Sequence, residues 1–216
     1  MPSEWKPRKY QFEMIKCMVS KPSFGMLWDP GLGKTAVTLA AFKILKDKGI
    51  VDSMLVVAKR HIIHNTWPDE IKKWAVFNHL TYEILQGTKK AKALARPRPD
   101  IYFINPEGLI WLEKQKGFKW PDMLALDEST SMKHTNTQRF KTMRHILPKF
   151  KRRYILTGTP TPNGLLDMFG QMFVLDLGHS LGSYVTHYRT MYFHPAGFGG
   201  FGWELNEGAD KKIYKQ

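Results

Sequence analysis

Cysteine is nearly absent from this chain, and long apolar runs are missing altogether. One cysteine in 216 residues excludes an intrachain disulfide framework and a thiolate zinc cluster. Cys17 reads instead as a small buried hydrophobe on a helix. No apolar run approaches the roughly 18 residues of a membrane span, and mean hydropathy is −0.38. The opening residues, MPSEWKPRKYQ, lack the apolar core of a secretion signal. Internal repeats and low-complexity tracts are missing too. These absences describe a soluble, cytoplasmic chain with no membrane partner. Its 43% hydrophobic content suffices for one packed domain and a small appendage.

Acidic residues are also few. Nineteen Asp and Glu stand against 33 Lys and Arg, a net charge of +14. Such an excess points to a polyanionic partner. The cations are clumped, at residues 6–9, 89–98, 149–153 and 211–215. Clumps around loops suit contacts with nucleic-acid phosphates better than an even solvated coat.

What is present alternates between strand and helix. Apolar runs at residues 24–28, 53–58, 81–85, 100–104, 123–126 and 153–157 predict buried strands. Helical spacing appears at residues 34–46, 64–77, 137–147 and 165–174. In the second of these, Trp67, Ile71 and Trp74 share a face. The basic stretch at 86–99 reads as helical until its prolines. Near-continuous apolar strands separated by helices imply an α/β fold, with a mostly parallel sheet covered on both faces. Beyond Gly178 the sequence turns Gly- and aromatic-rich with no clear period, and reads as irregular.

WDPGLGKT follows a predicted strand and opens a predicted helix, the context of a phosphate-binding P-loop. Gly31 and Gly33 allow a tight turn that aims backbone N–H groups at phosphates. The helix N-terminus adds positive partial charge. Lys34 can reach the β- and γ-phosphates of ATP, and the Thr35 hydroxyl can ligate Mg²⁺. The nucleotide-contacting run is Pro30, Gly31, Leu32, Gly33, Lys34, Thr35 and Ala36. Trp28 occupies the position where the strict pattern has glycine, and Pro30 stiffens the loop. A second element, MLALDE, ends an apolar strand on Asp127 and Glu128. Asp127 suits contact with Mg²⁺, and Glu128 suits polarising an attacking water.

GLGKT, DEST and LTGTP in this order resemble the superfamily 2 helicases and translocases, in particular the Swi/Snf-like ATPases and their short phage-encoded versions. Further segments fit. KPRKYQFEMIKCM resembles the family's N-terminal segment, which implies that Gln11 reads the adenine edge with Tyr10 packing near it. LVVAKRHIIHNTWPDEIKKW resembles a segment that touches the nucleic-acid backbone, which places Lys59, Arg60 and Trp67 near DNA. INPEGL implies that Asn105 and Glu107 line the same track, and DESTSMKHTNTQR puts Lys133 and Arg139 in family-like positions. YILTGTPTPNGLLDMFGQM matches the family's third motif. The resemblance runs from Tyr10 to about Val174.

The family implies a RecA-like P-loop domain, here residues 1–178, with the LTGTP strand between the P-loop strand and the Asp127 strand. Thr157, Gly158 and Thr159 then couple the state of the nucleotide to domain movement. Residues 179–216 lead toward a second RecA-like domain, whose arginine finger the family motor needs. Arg152 and Arg153 are no substitutes for it. The expected function is ATP hydrolysis, with ATP and Mg²⁺, driving movement on DNA, slow in this chain alone. A non-motor DNA-binding module and an RNA helicase domain remain as alternatives. His61 and His64 read as surface or phosphate-facing residues, not metal ligands. The tail aromatics Tyr188, Tyr192, Phe193, Phe198, Phe201 and Trp203 either stack on bases or pack against the domain.

Overall fold

Six short strands line up in parallel in a computed structural model that describes residues 2–162, 164–197 and 202–215. They are β1 (Ser23–Leu27), β2 (Met54–Val57), β3 (Tyr82–Ile84), β4 (Ile101–Ile104), β5 (Met123–Asp127) and β6 (Arg152–Thr157). All six coincide with the apolar runs of the sequence. The sheet order is β1-β6-β5-β2-β4-β3. The LTGTP strand β6 therefore lies between the P-loop strand β1 and the Asp127 strand β5, as the family resemblance implies. The register sets Leu27 beside Thr157, and Leu156 beside Asp127.

Alternate strand residues serve two cores, because successive side chains point to opposite faces. Met54, Val56, Phe103, Ala125 and Leu156 pack under α1 (Lys9–Ser20), α2 (Lys34–Asp47) and α3 (Trp67–Lys73). Leu55, Val57, Ile104, Leu126 and Ile155 face the other way. That face is closed by α4 (Lys90–Leu94), α5 (Leu109–Glu113), α6 (Gln138–Ile146) and α7 (Met168–Asp176). Burial on both faces explains why the strands read as unbroken apolar runs rather than alternating ones. Arg152 donates to the carbonyls of Met18, Val19 and Lys21 at 3.0–3.2 Å, and the Tyr154 hydroxyl donates to Met18 O at 2.6 Å. The last carbonyls of α1, which have no partner within the helix, are thereby satisfied from β6.

Three expectations need correction. The helix expected over residues 64–77 is a π-helical turn, Ile62–Thr66, followed by a short α3. It stops at Trp74 because the chain there turns extended and pairs with the N-terminal segment, Ala75 N donating to Ser3 O at 3.0 Å. Cys17 lies on α1 but is only half-buried. The tail expected as irregular forms α8 (Val185–Tyr192), an antiparallel hairpin of β7 (Phe193–Ala196) and β8 (Gly202–Leu205), and α9 (Ala209–Ile213). Its periodicity was present in Tyr184, Tyr188 and Tyr192 at four-residue spacing, but neighbouring glycines obscured it. Tyr188 is fully buried, and its hydroxyl donates to Leu165 O at 2.9 Å. Tyr192 and Phe193 are buried beside it. These three aromatics pack against the domain. Phe198 and Phe201 lie outside the described residues.

Candidate nucleotide site and nucleic-acid face

The carboxyl ends of parallel strands are where α/β sheets of this type bind ligands. Here the motif residues of β1, β6, β5, β2 and β4 all fall at those ends. Gly31 and Gly33 adopt φ of 85° and 83°, the left-handed region. Side chains rarely tolerate it, and it turns successive N–H groups inward to form an anion-binding concavity. Gly33 caps α2, so the helix begins at Lys34. Lys34 Nζ donates to Trp28 O at 2.8 Å and to Asp29 O at 3.1 Å. A phosphate entering the loop would compete with these two carbonyls for the ammonium.

The start of α1 closes the loop from above. Gln11 is buried; its Nε2 donates to Leu32 O at 3.0 Å and its Oε1 accepts from Arg8 N at 3.0 Å. One amide proton and one oxygen lone pair remain for a further polar group. A Cβ on Gly33 would meet Gln11 Nε2 at 2.5 Å, so a side chain there would displace the Gln11 amide from Leu32 as well as strain the backbone. Tyr10 packs edge-on to Trp28 at 5.2 Å between ring centres. The residue that breaks the strict P-loop pattern thus has a partner within the same site. A cleft of about 670 Å³, lined by Arg8, Tyr10, Gln11, Gly31, Gly33 and Ala36 among others, opens beside the loop.

Asp127 ends β5 nearly buried, and Glu128 follows with φ of 59°. That left-handed backbone is uncommon for a residue with a side chain. It bends the chain into the turn Ser129–Met132. Burial pushes the Asp127 carboxyl above the usual carboxylate range, against the pull of the Trp67 indole and Lys34. Thr157 is buried at the end of β6, and its Oγ1 accepts from Thr159 N at 3.2 Å. Gly158 rests on Pro30 of the P-loop.

The SNF2-related domain profile matches residues 10–192. The chain belongs to the SNF2-related domain family. A putative protein, p41, of Acyrthosiphon pisum secondary endosymbiont phage 1 is 32% identical over 87% of this chain and 43% of its own length. Helicase domino of Drosophila melanogaster is 31% identical over 78% of this chain and 5% of its own length. Helicase SWR1 of Mycosarcoma maydis is 32% identical over 78% of this chain and 10% of its own length. The chain therefore spans less than half the length of each of these relatives. A solved Sulfolobus solfataricus SWI2/SNF2 ATPase core in complex with dsDNA superposes with a TM-score of 0.72 at 24% identity, covering 88% of this chain and 39% of that one. The likeness shows the RecA-like fold.

The residues of this SNF2-related domain expected to face nucleic acid separate into two groups. Lys59 and Arg60 are exposed after β2, with His61 and His64 on the same surface. Lys59 Nζ lies 3.9 Å from Glu128 Oε2. Asn105 Nδ2 donates to Glu107 Oε2 at 2.7 Å, and Arg139 Nη1 donates to Glu107 Oε1 at 3.2 Å. Burial raises the Glu107 carboxyl, but its own backbone N–H, Asn105 and Arg139 outweigh that and hold it below its usual value. Lys133 Nζ lies 3.8 Å from Asp167 Oδ2. Trp67 must be removed from the nucleic-acid set. It is fully buried, and its Nε1 donates to Asp127 Oδ2 at 2.9 Å. An indole enclosed by the core has no face to offer a base or a phosphate.

Two contacts had no sequence signal. The first is this Trp67–Asp127 bond. The second is Gln171 on α7, which is buried. Its Oε1 accepts from Ser129 Oγ at 2.6 Å, and its Nε2 donates to Pro160 O and to Asp167 O. One amide thus ties the turn after Glu128 to the loop after Thr159. Among the described residues no group of three or more His, Cys, Asp or Glu is placed to hold a metal on its own, and no helix is long and apolar enough to cross a membrane.

Proposed function

We propose that this chain is the first RecA-like domain of a cytoplasmic motor that hydrolyses ATP and moves on duplex DNA together with a second such domain. The observation that carries this reading is the convergence at one sheet edge of the P-loop, Asp127, Glu128 and Thr157, on three adjacent strands. The net charge of +14 and the exposed Lys59 and Arg60 favour a polyanionic track. The dsDNA bound to the Sulfolobus core favours duplex over RNA.

In this reading the phosphates of ATP sit on the N–H groups of residues 31–36, with Lys34 between the β- and γ-phosphates. Gln11 and Tyr10 flank the base. The Thr35 hydroxyl and the Asp127 carboxylate are oxygen donors, the ligand type that Mg²⁺ takes, and they suit it as a pair shared with phosphate oxygens. When bound, the ion neutralises charge that develops on the phosphates. Glu128, beside Asp127 but turned out of its line by the left-handed backbone, orients and deprotonates water. Thr157, Gly158 and Thr159 lie between these groups and the loop that Gln171 holds, and pass their rearrangement outward. Asn105, Glu107 and Lys133 line the track with Lys59 and Arg60.

Glu128→Gln in the full-length protein tests the reading. ATP binding should stay within about threefold of wild type, and duplex-stimulated hydrolysis should fall by roughly 10² or more. Hydrolysis that survives the change excludes the motor. Stimulation by RNA in preference to duplex DNA would instead make it an RNA-directed enzyme. The 216-residue chain alone should turn over slowly, because an arginine finger from a partner domain contributes roughly 10³–10⁵ in rate.

A further inference from the structure

We propose that Trp67 is a positioning residue, whose indole N–H fixes the rotation of the Asp127 carboxylate so that one of its oxygens is presented to the metal ion. The inference rests on the nucleotide-site reading above.

The bond is 2.9 Å long and joins a fully buried ring to a carboxylate that is 8% exposed. An indole nitrogen donates and never accepts, so the bond has one polarity. It engages Oδ2 from within the core; the Glu128 backbone N–H also hydrogen-bonds the carboxylate, and the remaining lone pairs are those the carboxylate can offer a cation. A hydroxyl or an amide in that place could turn and offer an acceptor; tryptophan has no such freedom. Partners of this kind, which orient a metal's ligands, typically change metal affinity 10–100-fold when removed.

The ring is itself held. It packs on Phe103 of β4 with ring centres 6.0 Å apart. It opens α3 immediately after the π-helical turn Ile62–Thr66. Such turns are rare and are frequent at functional sites. This one changes the helical phase just ahead of residue 67, and Ile63 anchors it in the core. The same segment begins with Lys59, which faces Glu128. One stretch of chain therefore contacts both carboxylates of the Asp-Glu pair, each by a different side chain.

The alternative is that the bond only satisfies two buried polar groups. Trp67→Phe separates the two, since it keeps an aromatic ring in the core and removes the donor, and Trp67→Leu, which also lacks the donor and packs differently, shows how much of any change comes from the lost volume. The probes are ADP and Mn²⁺ on the wild-type and variant chains, with bound Mn²⁺ read by electron paramagnetic resonance. The expected result is a folded variant that binds ADP as wild type without metal and needs roughly tenfold more Mn²⁺ for half-saturation. Unchanged Mn²⁺ dependence in a folded variant overturns the proposal and leaves the nucleotide site standing. No Mn²⁺–ADP binding by the wild-type chain overturns both. If Trp67→Phe does not fold, ¹⁵N-indole spectra of the wild-type chain decide. Seven tryptophans give seven indole signals, and one should be slow to exchange and should shift on adding Mg²⁺ with ADP. Asp127→Asn should move that same signal. If no protected indole signal responds to either, the proposal fails.

Discussion

Gly158 lies flat against Pro30: a Cβ added at residue 158 would stand 3.0 Å from the proline Cδ and 3.4 Å from the Trp28 carbonyl oxygen. The loop after β6 and the phosphate loop therefore touch with no room between them. A proline ring gives way less readily than a flexible side chain. Gly158→Ala should push the P-loop aside at a cost of about 1–3 kcal/mol, typical of overpacking. Nucleotide affinity should fall roughly tenfold, since 1.4 kcal/mol is a factor of ten. Equilibrium titration with a fluorescent ADP checks this, and unchanged affinity would show that the two loops move independently.

Tyr154 and Arg152 hold α1 by its C-terminal end, and Gln11 acts at its other end. Tyr154→Phe removes the donor to Met18 O and the acceptor for Arg152 Nη1. It should lower stability by about 1–2 kcal/mol, the scale of a buried hydrogen bond whose partner is left unmet. Gln11→Ala should act the opposite way round, with a larger loss of nucleotide affinity and a smaller loss of stability. Urea midpoints and ADP titrations on both variants test the division. Equal effects on both quantities from either variant would show that α1 does not separate anchoring from binding.

Asp100 sets an acid limit. Burial raises its carboxyl, but Thr81 N at 2.7 Å, Lys46 Nζ at 3.0 Å and the Thr81 hydroxyl at 2.9 Å outweigh it, so its pKa lies below the ordinary value. A depressed folded-state pKa means the unfolded chain takes up the proton first. The stabilisation is therefore present in full above the unfolded value of about 4, and it is lost as pH falls through the folded one. Asp122, lowered in the same sense by Lys151 and the Asp52 N–H after burial is offset, adds to it. Urea midpoints measured from pH 6 to pH 3 should fall on the acid side, and Asp100→Asn should flatten that fall. An identical slope in the variant would place the acid sensitivity elsewhere.

The sheet and the phosphate loop were legible because each depends on neighbours in sequence. Six apolar runs became six strands, and GLGKT carried its own turn chemistry. The order of β1, β6 and β5 came from the family resemblance, not from periodicity. The role of Trp67 was hidden because its acceptor is 60 residues away, and a tryptophan on a basic segment reads equally well as a stacking platform. Gln171 was hidden for a similar reason. A glutamine within an apolar helix shows its purpose only once Ser129 and Pro160 are beside it. In the tail, α8 packs on α7 through Tyr188 and Phe169, a contact that glycine content could not show.

Burial of Tyr188 joins the tail to the helix that carries Gln171. Its ring lies 5.5 Å from that of Phe169, two residues before Gln171 on α7. Opening of α8 would uncover Phe169 and loosen the helix that carries Gln171, and with it the tie between Ser129 and Pro160. Regions that open as one unit share one free energy of opening. A load on residues 185–192 would therefore reach the turn after Glu128 through Phe169 and Gln171, by a route that bypasses the sheet.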